Sequence, residues 1–360
     1  MKNTFGNALS FTLFGESHGP SIGIVIDGLA PGLPVNEGAI AAMLTRRRPA
    51  GAISTARQEK DAFVIESGVF NGKTTGTPIC IRIPNMDTRS VDYGSDDRLA
   101  RPGHADLAAH CKYHGYEDYR GGGHFSGRIT AALVAAAGIV MPALEKKGIR
   151  IGTHIRRLAG VEDRSFEDII TDIANLQTEF PVLDTSVKDA MQQRILEAKA
   201  DGDSVGGVLE TAVCDVPAGV GEPWFDTMES MLSHALFSIP AVKGVEFGDG
   251  FAMADMRGSQ ANDAWRVGPA TVTNHNGGIN GGITNGMPIV FRCAIKPTPT
   301  IAKEQDTVSI TTGMDGKLAA KGRHDPCIVH RAAVVVDAVT ALVLCDVLTG
   351  RYGTDWLGDV

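Results

Sequence analysis

Little in this chain suits a membrane. The two longest apolar runs are Ala131–Leu144 and Ala332–Leu344. The first is short of a bilayer span and contains Pro142; the second holds Asp337 and follows His330-Arg331. Both read as helices buried in a core. The start, MKNTFGNALSF, has no long apolar stretch behind its lysine, so no secretory signal is expected. Paired cysteines are missing as well. Cys80, Cys111, Cys214, Cys293, Cys327 and Cys345 are scattered with no C-x-x-C spacing, which speaks against a disulfide framework and predicts free thiols in a reducing cytoplasm. Positive charge is in deficit, with 34 Lys+Arg against 42 Asp+Glu and a net charge of -8. The molecule as a whole therefore attracts neither nucleic acid nor an anionic membrane, and an anionic ligand needs a local basic cluster. No Pro/Ser-rich linker and no repeat is visible, which predicts one domain over residues 1–360.

What the chain does have is histidine set in rigid polar turns. Phe14-Gly15-Glu16-Ser17-His18-Gly19, Arg101-Pro102-Gly103-His104-Ala105-Asp106 and Gly322-Arg323-His324-Asp325-Pro326-Cys327 each place His beside Arg, Asp or Glu among Gly or Pro. Such residues are costly to bury, and one polar site assembled from three loops accounts for them most simply. Arg46-Arg47-Arg48-Pro49 closes a helix. Those arginines either complement the helix dipole or form a guanidinium cluster for phosphate or carboxylate. Gly121-Gly122-Gly123-His124-Phe125-Ser126-Gly127-Arg128 sets a glycine run before a helix. It reads either as an anion cradle or as a tight turn with Ser126 as N-cap. It is neither Walker A nor G-x-G-x-x-G. Arg128 opposes the dipole of a helix start and so needs an anionic partner.

His104, His110 and His114 raise the question of a metal hydrolase, since His110 and His114 stand four apart on an expected helix. H-E-x-x-H is absent and nothing completes a ligand set, so no metal is assigned. His110 and His114 read as ordinary polar helix residues. Lys296-Pro297-Thr298-Pro299-Thr300 is a stiff turn after a strand, with two hydroxyls that can hold a phosphate or a ring edge. Asp325 can be a helix N-cap or a site residue. Asp337 sits in an apolar helix and needs a partner.

Periodicity places strands at Leu9–Phe14, Ser21–Asp27, Ile149–Ile155, Gly207–Val213, Ala241–Phe247 and Pro288–Ile295, with a hairpin of Phe63–Val69 and Thr77–Ile83 across Asn71-Gly72. Helices are expected from Pro34/Asn36 to Arg48, and over Ala105–Tyr113, Ser126–Lys147, Asp226–Phe237 and Ile328–Leu348. Asn85–Pro102 reads as a long polar loop and Asp163–Gly202 as peripheral helices. There is no regular βαβ rhythm. The fold class is therefore α+β, with long helices packed on largely antiparallel sheets.

Taken in order, FGESHG at 14–19, RRRP at 46–49, STARQEKD at 54–61, RPGHAD at 101–106, YRGGG at 119–123, GDSVGG at 202–207, VPAGVGEP at 216–223, AVKGVEFGDGF at 241–251, RGSQ at 257–260, NHNGGINGGITNG at 274–286, KPTPTI at 296–301 and GRHDPC at 322–327 resemble the chorismate synthase family nearly end to end. The resemblance implies a layered β-α-β sandwich, a homotetramer, and a carbon-oxygen lyase that eliminates phosphate from 5-enolpyruvylshikimate 3-phosphate in a 1,4-anti sense to give chorismate. It also implies reduced FMN, kept reduced by an external NADPH-dependent flavin reductase. Reduced flavin can lend electron density while the C–O bond breaks.

Residue by residue, the resemblance assigns His18 as proton donor on the phosphate side and places His104 by flavin N1. Asp325 would take the N5 proton. Arg47, Arg48, Arg128 and Arg323 would clamp phosphate and carboxylates. It places FMN against His124, Phe125, Ser126, Pro240, Ala241, Gly281, Lys296, Pro297, Thr298, Pro299, Thr300 and Arg323. The chain departs from the family pattern where GGGHFSGRIT replaces GGGRSSARET, at Ala50–Ile53, at Pro240 for Asn and at Asp337 for Glu. These changes motivate the alternative of a flavin- or anion-binding paralogue that does not turn over.

Overall fold

The computed structural model describes residues 2–49, 51–55, 60–86, 98–268, 270–320 and 325–358. Eight α-helices lie among the described residues: Glu37–Arg47 (α1), Asp106–Tyr113 (α2), Thr130–Lys146 (α3), Ile169–Asn175 (α4), Lys188–Ala200 (α5), Met228–Leu236 (α6), Gly258–Ala261 (α7) and Val329–Tyr352 (α8). One five-stranded sheet runs Thr4–Phe5, Ser10–Gly15, Ser21–Asp27, Ile79–Pro84, Val64–Ser67 in spatial order. The other runs Val242–Phe247, Ile289–Ile295, Gly207–Cys214, Arg150–Leu158, Val161–Glu162. Every pairing in both is antiparallel. Helix α3 packs on the first sheet and α8 on the second, with α3 against α8 between them and α1 against both helices. This is the sheet–helix–sheet sandwich the α+β reading anticipates.

Alternation explains the layering. Ile22, Ile24 and Ile26 are fully buried, as are Ile79, Ile81 and Ile83 on the neighbouring strand, so one face of the first sheet is a continuous apolar wall. Asn36 caps α1 by accepting a hydrogen bond from the Ala39 amide at 3.2 Å, and Pro49 lies just past its end. The 69–74 hairpin turns at Asn71 and Gly72, both at positive φ (48° and 71°), as a two-residue type I′ turn requires. In α3, a Cβ on Gly138 would sit 2.7 Å from the Ile40 Cα, so glycine permits the close approach of α1 and α3.

Two boundaries differ from expectation. Helix α3 begins at Thr130, not Ser126, because Gly121, Gly122 and Gly123 all take positive φ and a short 3₁₀ turn, Gly127–Ile129, intervenes. Helix α8 continues past Leu348 to Tyr352, since Leu348 and Thr349 are still buried and the break comes only at Gly353. The segments Gly127–Lys146 and Val329–Tyr352 are long and apolar enough to cross a membrane. They are 83% and 94% buried within the protein over those windows, as core helices. Near the end of α8, the Asp346 carboxylate accepts hydrogen bonds from the backbone amides of Asn7, Ala8 and Leu9 at 2.7–3.1 Å.

Segment 163–200 is helical at α4 and α5 but does more than cover the surface. Asp163 is buried and accepts the amides of Arg164, Leu183 and Asp184. It also faces His154 Nδ1 at 3.3 Å, while His154 Nε2 lies 3.0 Å from Glu210. Burial alone would lower the His154 pKa, but the hydrogen bonds and charges of Asp163 and Glu210 outweigh it and hold the imidazolium above its ordinary range. The two carboxylates are held below theirs by the same contacts, against the opposing effect of burial. The network staples this segment to the face of the second sheet opposite α8.

Candidate active site

The triglycine turn is the pivot of the site. Its φ values are 59°, 85° and 53° at Gly121, Gly122 and Gly123. A Cβ on Gly121 would fall 2.0 Å from Nδ1 and Cε1 of His18, and one on Gly122 would fall 3.2 Å from Cε1 and Nε2 of His104. Two imidazoles from distant loops thus pack on adjacent residues of one turn. The Ser17 amide donates to the Gly123 carbonyl at 3.0 Å, and His124 Nδ1–H donates to the Gly15 carbonyl at 2.8 Å, so the 14–19 loop is tied to the turn from both sides. Asn85 holds the same loop from beneath, donating to the carbonyls of Glu16 and Gly19 at 2.9 and 2.8 Å. Ser126 accepts from the Arg128 amide at 3.2 Å, which is its N-cap role.

The arginines divide. Arg46 turns to Asp337 at 2.9 Å, giving that buried carboxylate the partner it needs. Desolvation still pushes the Asp337 pKa up, although Arg46 opposes it. Arg47, Arg48 and Arg128 instead converge on Asp61, whose side chain has no solvent exposure. Arg47 lies 3.3 Å from Asp61 Oδ2, the Arg48 Nε lies 3.9 Å away, and Arg128 bonds Oδ1 directly. Arg128 also donates to Asn85 Oδ1 at 3.2 Å. Burial lowers the Arg47 pKa to about 10, with Arg128 and Arg331 acting in the same direction and Asp61 opposing them.

Asp325 does not cap a helix. The N-cap of α8 is Ile328, without a side-chain hydrogen bond, because three residues separate Asp325 from the first turn. Asp325 accepts instead from the Thr55 amide at 2.9 Å and from Arg331 at 2.5 Å. The 101–106 loop is braced by Lys296, whose Nζ donates to the Gly103 carbonyl at 2.5 Å. His110 pairs with Arg98 and Glu117, and His114 closes α2 in a left-handed conformation, so each has a structural part. Among the described residues, no cluster of three or more His, Cys, Asp or Glu could hold a metal ion.

These elements enclose a cavity of about 880 Å³, at the upper end of the range for small-molecule sites. Its wall brings together Arg47, His104, His124, Phe125, Ser126, Arg128, Pro240, Ala241, Lys296, Thr298, Pro299, Thr300 and Asp325. His18 stands behind Gly121, which is itself on the wall. Arg48 and Pro297 are next to wall residues but not on it. Gly281 lies apart, exposed at the tip of the Ile279–Thr284 hairpin. Arg323 falls outside the described residues. Among the described residues, Lys2, Arg47, Arg101, Arg128, Lys243, Lys296 and Arg331 line the cavity against only Asp61 and Asp325, a cationic chamber in a chain of net charge -8. One end is apolar, formed by Phe5, Phe11, Leu13, Leu133 and Phe237.

Sequence reading missed Asp61, Arg101, Asp106, Arg331 and Lys243. Asp61, Arg101 and Asp106 lie inside the conspicuous STARQEKD and RPGHAD stretches, where acid next to base was the available signal. Arg331 stands six residues after Asp325, in the first turn of an otherwise apolar helix, and an isolated cation there marks a partner.

The chain matches the chorismate synthase family model over residues 9–349. The chain belongs to the chorismate synthase family. It is 48% identical over 358 residues to the chorismate synthase of Thermococcus gammatolerans, with 99% of each chain covered. It is 45% identical to that of Chitinophaga pinensis, over 96% of each chain. A solved structure described as a crystal structure of chorismate synthase superposes with a TM-score of 0.76 at 32% identity, covering 98% of this chain and 95% of the other. Family membership makes the protein an enzyme, a carbon-oxygen lyase acting on phosphate.

Proposed function

We propose that the cavity binds reduced FMN together with 5-enolpyruvylshikimate 3-phosphate and eliminates phosphate to give chorismate. The observation that carries this reading is the cavity wall itself: seven Lys or Arg side chains and two histidine-bearing loops face a space of about 880 Å³. A doubly anionic substrate beside a flavin phosphate needs that balance of charge.

The residues fit a flavin. Thr298 Oγ1 is buried with no hydrogen-bond partner and belongs to the stiff 296–300 loop on the wall, as a hydroxyl awaiting a ligand would. The apolar end suits a ring system. His124 is tied to Gly15, and Phe125 packs edge-on to Tyr113 at 6.0 Å, so neither supplies the cation that the usual arginine would. Lys296 and Arg101 stand on the same wall. Reduced FMN would supply electron density to the substrate ring as the phosphate departs and recover it as the C6 hydrogen leaves.

The chain's own groups supply the rest. Arg47 and Arg128 are pre-positioned by Asp61 and hold anionic groups without reorganising. Arg48 and Arg323 belong to the same clamp. His18, pressed against Gly121, donates a proton to the departing phosphate. Asp325, held in place by Arg331 and the Thr55 amide, accepts a proton, and His104 shares one across the turn. Homotetramer assembly accounts for the exposure of Trp224, Phe225, Phe251 and Trp265 on one chain. Cytoplasmic location and an external NADPH-dependent reductant complete the reading.

The test is anaerobic mixing of the protein with reduced FMN and 5-enolpyruvylshikimate 3-phosphate, following chorismate absorbance and phosphate release. Stoichiometric appearance of both is the expected result. Tight flavin binding with no product would identify a non-catalytic paralogue instead.

A further inference from the structure

His104 does not stand alone in its loop. Its Nδ1 lies 2.8 Å from Asp106 Oδ1 and 3.2 Å from an Arg101 Nη. Arg101 is already committed to the same carboxylate. Its Nε and Nη donate to the two oxygens at 2.8 Å each, and its backbone amide adds a bond at 3.0 Å. A guanidinium only donates and a carboxylate only accepts, so the assignment that satisfies all three groups puts the proton on Nδ1, donated to Asp106. The opposite edge of the ring, Cε1 and Nε2, packs over Gly122 and makes no hydrogen bond among the described residues, and His104 itself lines the cavity.

We propose that Asp106 is the positioning residue for His104: anchored by Arg101, it fixes the imidazole as the Nδ1–H tautomer and presents Nε2 to the cavity as the atom that exchanges a proton. Burial alone would raise the Asp106 pKa. The hydrogen bonds from Arg101 and His104 reverse that and hold the carboxylate well below its usual range, so it stays an acceptor. Asp106 opens α2 and so also sits where an acid favours the helix dipole. That purely structural part would leave the tautomer and the turnover of a folded variant untouched, which is what separates the two roles. The catalytic half of this inference rests on the function proposed above; the tautomer does not.

The experiment has two readouts on the full-length protein, with and without FMN. In ¹⁵N-histidine NMR, with His104 identified by its loss in H104A, the expected spectrum shows a protonated Nδ1 and an unprotonated Nε2 at alkaline pH. In D106N this preference should be lost. In steady-state turnover, D106N should lower kcat by roughly 10²-fold, the scale of a general acid-base contribution, with KM changed less than threefold. In an H104A background, D106N should cost nothing further. D106E, which keeps the charge and is the safer variant for folding, should recover part of kcat. A His104 carrying its proton on Nε2, unchanged kcat in folded D106N or D106E, or equal losses with and without His104 would overturn the proposal. Parent protein that makes no chorismate would refute the proposed function while the NMR result still decides the role of Asp106.

Discussion

Replacing Asp61 with Asn tests the arginine cluster most directly. The residue has a positive φ of 47°, a conformation Asn tolerates as well as Asp, so the backbone is not the variable. What changes is charge. Arg128 and Arg47, with side chains 4% and 11% exposed, lose a carboxylate they share; Arg48, at 33%, loses less because water screens it. Removing one partner of a buried ion pair costs about 3–5 kcal/mol. At roughly 2 °C per kcal/mol for a chain of this size, thermal unfolding should move down by about 6–10 °C. The Arg47 pKa, already lowered to about 10, should fall further. A bound anion can replace the missing charge. Saturating phosphate should therefore stabilise the variant more than the parent, by up to about 2.7 kcal/mol at a hundredfold excess over Kd. The assay is thermal unfolding of both proteins across a phosphate titration. A variant within 1 kcal/mol of the parent without phosphate, or one that phosphate stabilises no better, would refute the view that Asp61 holds these arginines for an anion.

Three further outcomes can be checked. Gly121→Ala should displace the His18 ring, since the new methyl would sit 2.0 Å from it; turnover should drop by at least roughly 10²-fold, stability should fall by about 1–2 kcal/mol because alanine is strained at this left-handed position, and retained kcat would contradict the placement. Thiol titration of the native protein should show fast reaction at exposed Cys111 only. Burial raises Cys214 to about 11 and Cys293 and Cys327 to about 12, so these should react only in denaturant. The His154 network makes stability depend on pH from both sides. Because the His154 pKa is raised, its contribution is complete below the ordinary imidazole value and fades as pH climbs through the raised one. Because those of Asp163 and Glu210 are lowered, theirs is complete above the ordinary carboxylate range and is lost as pH falls through the lowered ones. Denaturant unfolding across pH should show an alkaline decline in the parent that is absent from the less stable His154→Gln; identical slopes would count against it.

The α+β class was readable because isoleucine recurs at every second position of strands such as Ser21–Asp27 and Asn71-Gly72 marks a tight turn, whereas the layered sandwich came from the resemblance. The three histidine loops were readable because charged groups between glycines have no core use. Pairing was not readable. Nothing local links Asp61 to Arg128, 67 positions on, or His154 to Glu210, 56 positions on, and a carboxylate looks the same whether it faces water or three guanidiniums. The α-helical part of α3 starts a turn later than expected because the turn after the Ser126 cap, Gly127–Ile129, is 3₁₀, which an apolar pattern does not distinguish from α-helix. The resemblance added roles for individual side chains. The geometry added their neighbours, Arg101 with Asp106 and Arg331 with Asp325.

The Asp346 bond to the amides of Asn7, Ala8 and Leu9 has a consequence for folding. The turn between the first two strands is held by α8, some 338 residues later. Closing a contact over so long a stretch is entropically costly, and slow acquisition of the native state is the expectation.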